Sequence, residues 1–141
     1  MTELERFFAD IEHEFGCYGE HDFDKVTSIP VGFQSDCWHN DSCPSISYEK
    51  WHELEGKYPL ESKIWVESAD EMKRELNWGT QFSLNVSCCE RTYSYDSDDW
   101  QDIVDHAPKA IELQELIAKD DTFDGFDKYA DKAKEYGFKY Q

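Results

Sequence analysis

The amino-acid sequence predicts a single acidic α+β domain over residues 1–141, with an N-terminal amphipathic helix, a central, mainly antiparallel sheet of about four strands, and C-terminal helices. Apolar residues recur at the helical period near the start, β-prone segments fill the middle, and the helical period returns in the last third. The length suits one domain, and a hydrophobic content of 39% with 16% aromatic residues supplies a core. We therefore expect a folded chain despite its charge.

The clearest predicted element is a helix over residues 2–15. Thr2 and Glu5 have the spacing of a capping box, and Gly16 is a typical helix stop. Five apolar residues follow the helical period in one stripe: Leu4, Phe7, Phe8, Ile11 and Phe15. The pattern predicts a core helix whose acidic residues face outward.

The middle of the chain contains the candidate strands. Four segments are β-prone: residues 26–33, 45–51, 63–67 and 80–95. Pro30 cannot donate to a ladder, which indicates an edge position for the first segment. In the last segment the apolar positions change from even to odd numbers at Cys88 and Cys89. This change predicts a bulge or bend there.

Three helices are predicted in the last third. Asp98 is a suitable cap for a helix that continues through His106. Pro108 suits the first turn of a second helix, because proline is tolerated where the first backbone N–H groups have no partner. The apolar pattern of residues 123–136 predicts the third helix.

Charge is the most unusual property of the sequence. The chain has 32 acidic and 14 basic residues, a net charge of −18. Residues 1–70 hold 16 acidic and 5 basic side chains, and residues 71–141 hold 16 and 9, so the excess is not confined to a tail. Such a body repels nucleic acid and anionic membranes and attracts basic surfaces and cations. A simpler interpretation is solubility or adaptation to salt.

The expected compartment follows from the start of the chain and from its cysteines. Glutamates stand where a signal peptide has a basic region and an apolar block. No run approaches the roughly 18 apolar residues of a membrane span. Five cysteines are an odd number, which favours reduced thiols. We expect a cytoplasmic protein with no membrane partner.

The segment Tyr93–Asp105, YSYDSDDWQDIVD, holds five aspartates and no basic residue. In a helix over residues 98–107, Asp98, Asp102 and Asp105 would share a narrow sector, with neighbours about 5–6 Å apart. That separation is similar to the spacing of successive phosphates along a nucleic-acid strand. The alternative is an ordinary solvated face. The predicted partner-binding residues are Glu12, Glu14, Glu20, Asp22, Asp24, Tyr93, Tyr95, Asp96, Asp98, Asp99, Asp102 and Asp105.

Two groups of residues suggest a metal-binding module as an alternative function. Cys37, His39 and Cys43 are residue types that suit zinc, although their spacing matches no common zinc motif and buried thiols in a turn are the alternative. The segment Asp120–Asp131 resembles part of an EF-hand calcium loop, with Gly125 at the sixth position. It departs from the loop pattern at Asp127, which stands where an aliphatic residue is usual.

The sequence contains no P-loop, no G-x-G-x-x-G and no H-E-x-x-H motif, so we predict neither an enzyme nor a cofactor. In size and charge the chain resembles the small acidic inhibitors that bacteriophages and mobile elements direct against host restriction or CRISPR systems. The resemblance implies a non-catalytic protein that binds a basic nucleic-acid-binding surface of a host protein, without binding nucleic acid itself. An acidic scaffold domain is the other alternative.

Overall fold

The described part of the chain folds into a seven-stranded antiparallel sheet, and helices cover one face of this sheet. The computed structural model describes residues 1–16, 18–19, 21–76 and 79–141. The strands are β1 (Phe33–Ser35), β2 (Ser45–Tyr48), β3 (His52–Leu54), β4 (Tyr58–Val66), β5 (Phe82–Cys88), β6 (Arg91–Ser97) and β7 (Lys139–Tyr140). The α-helices are α1 (Glu3–Glu14), α2 (Trp100–Asp120), α3 (Gly125–Lys128) and α4 (Ala130–Glu135), and a 3-10 turn spans Glu71–Lys73.

The strand order is β1-β2-β4-β5-β6-β7, and β3 pairs with β4. The predicted α+β class and the single compact body are confirmed. The strand number is seven in the described residues rather than about four. The predicted edge strand over residues 26–33 is wrong, because within it only Phe33 belongs to a strand, β1. The predicted strand over residues 80–95 is divided into β5 and β6, and β3 and β7 have only three and two residues, too few to show an alternating pattern.

The hydrophobic core lies between the sheet and the helices, with α2 contributing the longest buried row. Along β4 and β5 every second side chain is buried, beginning with Leu60 and Phe82. The side chains of β4 that alternate with them, such as Lys63 and Trp65, are partly exposed. Helix α2 packs against the inner face with a buried row: Trp100, Ile103, Ala107, Ala110, Leu113, Gln114 and Ile117. Within the described residues, no helix is both long enough and apolar enough to cross a membrane.

The predicted first helix is confirmed as α1, with its capping box. The Thr2 hydroxyl accepts from the Glu5 backbone N–H, and the Glu5 carboxylate accepts from the Thr2 backbone N–H, both at 3.1 Å. Phe7 and Ile11 are buried, whereas Phe8 remains 37% exposed. The apolar stripe is therefore wider than the face that the fold buries.

The bend predicted near Cys88 and Cys89 is a hairpin turn between two strands. Cys88 pairs with Arg91, and throughout the register an even-numbered residue of β5 faces an odd-numbered residue of β6. That pairing is the cause of the change in phase. Cys89 turns the chain with a φ of 58°, a left-handed conformation that is unfavourable for a residue with a Cβ.

The prediction that Pro108 begins a new helix is wrong, because α2 continues through it. Proline in a helix interior removes the N–H that would bond to the carbonyl of Val104. Burial of Ala107 and Ala110 against the sheet holds the helix together on either side of the proline. The predicted helix over residues 123–136 is divided into α3 and α4.

Candidate partner-binding surface

The predicted aspartates gather where β6 leads into α2. Asp99 is the N-cap of α2, and its carboxylate accepts from the Gln101 backbone N–H at 3.0 Å. The expected sector of Asp98, Asp102 and Asp105 requires a correction, because the helix begins at Trp100 and Asp98 lies outside it. The Asp98 carboxylate instead accepts from the Gln81 backbone N–H at 2.8 Å.

The neighbouring carboxylates also take part in local hydrogen bonds. Asp102 accepts from the Tyr95 hydroxyl at 2.7 Å and lies 3.2 Å from Nδ1 of His106. Its hydrogen bond, together with partial burial, raises the pKa of Tyr95 to about 12. The Tyr95 ring stacks on the His106 ring at 3.8 Å. Asp102 therefore contributes to the packing of β6 against α2 as well as to the surface charge.

Four other aspartates at this junction keep one carboxylate oxygen, Oδ2, outside these contacts. In the described part of the chain, the hydrogen bonds that these carboxylates accept reach Oδ1. The donors are the Ser83 hydroxyl, the backbone N–H groups of Gln81 and Gln101, and the side-chain amide of Gln101. The four residues are Asp96, Asp98, Asp99 and Asp105. Because the internal donors occupy one oxygen, the other oxygen can accept from a partner.

The predicted N-terminal residues are divided between exposed and engaged positions. Glu12 is exposed on α1. Glu14 is partly buried and lies 3.1 Å from Nδ1 of His39. Asp24 is exposed and lies 2.9 Å from Nδ1 of His21. Glu20 lies outside the described residues. Glu12 and Asp24 are therefore the members of this group that the structure leaves most open to a partner.

Asp22 does not belong to the predicted surface, because only 6% of the residue is exposed. Its carboxylate accepts from the Gly19 backbone N–H and the Ser68 hydroxyl, and Nζ of Lys73 lies 3.4 Å away. Burial raises the pKa of Asp22, but the hydrogen bonds and the ammonium outweigh it and hold the pKa below its ordinary value. Asp22 ties the chain after α1 to the connection between β4 and β5.

Tyr93 must also be removed from the predicted surface, because it is fully buried. Its hydroxyl donates to the carbonyl of Phe126, and the two rings stack with centroids 4.5 Å apart. Burial raises the pKa of the Tyr93 hydroxyl. In β6 the alternation directs Tyr93 and Tyr95 toward the helices, so neither ring stands on the open face of the sheet.

The predicted zinc ligands have other contacts. Sγ of Cys37 lies 3.6 Å from Oγ of Ser35, and His39 contacts Glu14. Cys43 is fully buried, and burial raises the pKa of its thiol, which disfavours the thiolate that zinc requires. Among the residues that the structure describes, no group of three His, Cys, Asp or Glu side chains is placed to hold a metal.

The segment Asp120–Asp131, which resembles part of a calcium loop, has its own internal contacts as well. Asp120 ends α2 and accepts from the Thr122 hydroxyl at 3.0 Å, while Asp127 lies 2.8 Å from a guanidinium nitrogen of Arg91. Gly125 begins α3, and a Cβ there would lie 2.7 Å from Oγ1 of Thr122. The glycine is therefore explained by close packing, and within the described residues no three carboxylates of this segment are grouped to hold a metal.

A groove beside α1 was not predicted from the sequence. Its volume is about 560 Å³. The residues that line it are Phe8, Ile11, Glu12, Gly16, Tyr18, Gly19, Phe23 and Asp24. The consecutive pair Phe7 and Phe8 is the one available signal, because two adjacent residues on a helix cannot both point to the centre of one buried face.

The comparisons with known proteins supply no relative. No protein-family model, no curated protein and no solved structure matches the chain. The geometry therefore defines the candidate site by itself, as an acidic surface on an α+β body.

Proposed function

We propose that the chain is a non-catalytic, acidic protein that binds and blocks a basic, nucleic-acid-binding surface of another protein, as a nucleic-acid mimic does. The proposal includes the anti-restriction and anti-CRISPR types of inhibitor from phages or mobile elements. The observation that carries it is the junction of β6 and α2, where five carboxylates are exposed or partly exposed over ten residues, from Asp96 to Asp105, without a basic residue among them.

In the described residues, two cations lie beside this surface. Arg74 lies 3.9 Å from Asp98, and Lys25 lines a small depression with Asp98 and Asp99. Six of the nine basic residues of the second half lie beyond His106, away from the start of α2 in sequence. The aspartates stand at the ends of a strand and a helix, and internal hydrogen bonds fix one oxygen of each carboxylate. A partner's lysines and arginines would therefore meet charges that are already oriented.

Helix α1 is a second acidic element. It has five acidic residues, Arg6 as its basic residue and His13 near its end. Association of such a surface with a basic groove should be fast, weakened by salt and competed by DNA or RNA, because the same cations serve both ligands. A scaffold partner would not show competition by nucleic acid.

The test is capture from a nuclease-treated bacterial lysate on three immobilised proteins. These are the unmodified chain, Asp98→Asn/Asp102→Asn/Asp105→Asn, and a charge-matched control, Glu49→Gln/Glu53→Gln/Glu90→Gln, whose three sites are exposed. Asparagine keeps an oxygen for the internal hydrogen bonds while removing the charge. A nucleic-acid-binding partner that elutes at moderate salt, is displaced by DNA and is lost on the aspartate variant supports the proposal. Equal recovery on both variants, or indifference to DNA, contradicts it.

A further inference from the structure

The groove beside α1 combines an apolar floor with two carboxylates. Phe8 is the most exposed of its apolar residues, whereas Ile11 and Phe23 are largely buried beneath it. The Tyr18 ring meets the Phe23 ring edge to face, with centroids 5.1 Å apart. Glu12 and Asp24 line the same groove from the helix and from the segment that follows it. The volume of about 560 Å³ is within the range of ligand sites.

The chemistry of this groove restricts its occupant. The carboxylates and the net charge of −18 oppose a nucleic acid, an anionic lipid or an acidic peptide. A purely apolar occupant would cover the carboxylates of Glu12 and Asp24 without supplying a donor or a cation to them, which is costly. A side chain that has both a flat or apolar body and a positive head satisfies the floor and the carboxylates together.

Arginine fits that description better than lysine. The guanidinium is planar, stacks on aromatic rings and donates to carboxylates in a fixed fork, and its methylene stem lies well on apolar surface. The lysine ammonium is a more strongly hydrated point charge that gains less from an aromatic floor. An arginine is also a common residue of nucleic-acid-binding surfaces, which are the partners in the proposed function.

We infer that the groove of Phe8, Tyr18 and Phe23 is a docking site for an arginine side chain of a protein partner, with Glu12 and Asp24 as its counter-charges. The inference rests on the proposed function for the source of the arginine. The groove would add a specific, concave binding site to the broader acidic surface at the start of α2. The groove would select among basic partners, because a lysine-rich surface would gain less from it.

The experiment uses a defined probe instead of the unidentified partner. ¹⁵N-labelled protein is titrated with acetyl-Gly-Arg-Leu-Gly-amide and with the same peptide carrying lysine or neutral citrulline in place of arginine. Four variants are compared with the unmodified chain: Glu12→Gln/Asp24→Asn, its charge-matched control Glu53→Gln/Glu90→Gln, Phe8→Ala, and its control Trp51→Ala. Trp51→Ala removes another exposed aromatic residue and is the control for Phe8.

We expect saturable amide shifts centred on residues 8–12 and 18–24, strongest for the arginine peptide. The Kd should rise about 5- to 10-fold in Glu12→Gln/Asp24→Asn and less than about 2-fold in Glu53→Gln/Glu90→Gln. Phe8→Ala should weaken binding several-fold, about 3-fold or more, while Trp51→Ala leaves it unchanged. Equal losses in the two charge-matched variants, or equal binding of arginine and citrulline, would overturn the inference.

The same titration separates this inference from the proposed function. Shifts centred on residues 96–105 would overturn the groove as the arginine site but leave the acidic α2 surface standing. Shifts confined to the groove, together with no DNA-competed partner in the capture experiment, would support the docking site and contradict the nucleic-acid mimic. No saturable shift with any of the peptides would overturn the docking site.

Discussion

Replacement of Asp22 by asparagine tests whether this buried carboxylate holds the groove segment in place. The substitution leaves the shape nearly unchanged but turns one acceptor oxygen into an N–H₂ donor. That donor would then face the Gly19 backbone N–H, the Ser68 hydroxyl or the Lys73 ammonium, which all approach the carboxylate. The backbone carbonyl of Asp22, which accepts at 2.9 Å from Ala69 and from Gln81, is unaffected.

The expected loss follows from the hydrogen bonds that the charge strengthens. A net hydrogen bond to a buried charged group contributes about 1.5–3 kcal/mol, and the variant loses one such bond and weakens another. We therefore expect the free energy of unfolding to fall by about 2–4 kcal/mol, and Tm to fall by about 6–12 °C. Asp24→Asn is the matched control, since Asp24 is exposed, and it should change stability by less than about 0.5 kcal/mol.

Urea unfolding at pH 7, 5 and 3 measures the loss of stability in Asp22→Asn and tests whether the loss comes from the charge of Asp22. The folded state lowers the pKa of Asp22 from 3.8, so the stabilisation is present above that value and is lost as pH falls through the lower folded pKa. The difference between the unmodified chain and Asp22→Asn should persist at pH 5 and shrink at pH 3. A loss no larger than that of Asp24→Asn, or a pH-independent difference, would refute the assignment of Asp22 as a charged anchor.

Three further substitutions test other buried or strained positions by urea unfolding. Burial raises the pKa of Glu67 above its ordinary 4.5, so its charged form opposes folding; the unmodified chain should gain stability as pH falls through the raised pKa, and Glu67→Gln should remove that gain. The Ser62 hydroxyl donates to buried Gln114 at 2.6 Å; Ser62→Ala should cost about 1–3 kcal/mol, and the double variant with Gln114→Leu should cost less than the sum. Cys89→Gly should stabilise the hairpin by about 0.5–1 kcal/mol, because glycine adopts the φ of 58° without strain; destabilisation would contradict this.

Local chemistry made the first helix predictable. Thr2 and Glu5 form the capping box that their spacing indicates, and the helix ends near Gly16 as expected. The even-numbered apolar residues of β5 likewise face the core as their alternation requires. In each case the sequence signal and the structural cause lie within a few residues of each other.

The change of phase at Cys88 and Cys89 predicts a bend after β5 but not a turn that divides two strands, and the course of α2 was not predictable from local signals. The turn at Cys89 and Glu90 has no glycine or asparagine, the residues that normally mark a two-residue turn. Pro108 is a strong sign of a helix start, yet the packing of α2 on the sheet outweighs one missing hydrogen bond. The course of α2 is therefore decided by contacts with residues distant in sequence.

The candidate site was predictable in composition but not in exposure. A carboxylate in an acidic sequence is expected at the surface, but Asp22 is buried because Ser68 and Lys73, 46 and 51 positions away, supply a donor and a charge. Tyr93 is buried because its hydroxyl reaches a carbonyl of α3. Single-residue burial depends on such long-range partners, which hydropathy patterns do not contain.

The roles of the aspartates at the start of α2 explain how a dense acidic surface coexists with a stable fold. Like charges repel, but Asp99 caps the helix and Asp102 lies in its first turn, where the helix dipole favours negative charge. Asp98 and Asp96 accept from groups of β5 and its lead-in, so the fold offsets part of the repulsion with hydrogen bonds to one oxygen of each carboxylate. A partner that supplies cations to the remaining oxygens would relieve the repulsion further. Binding of a basic partner at this surface should therefore stabilise the folded state. The stabilisation should be largest when the partner's cations meet the carboxylates that folding brings closest together.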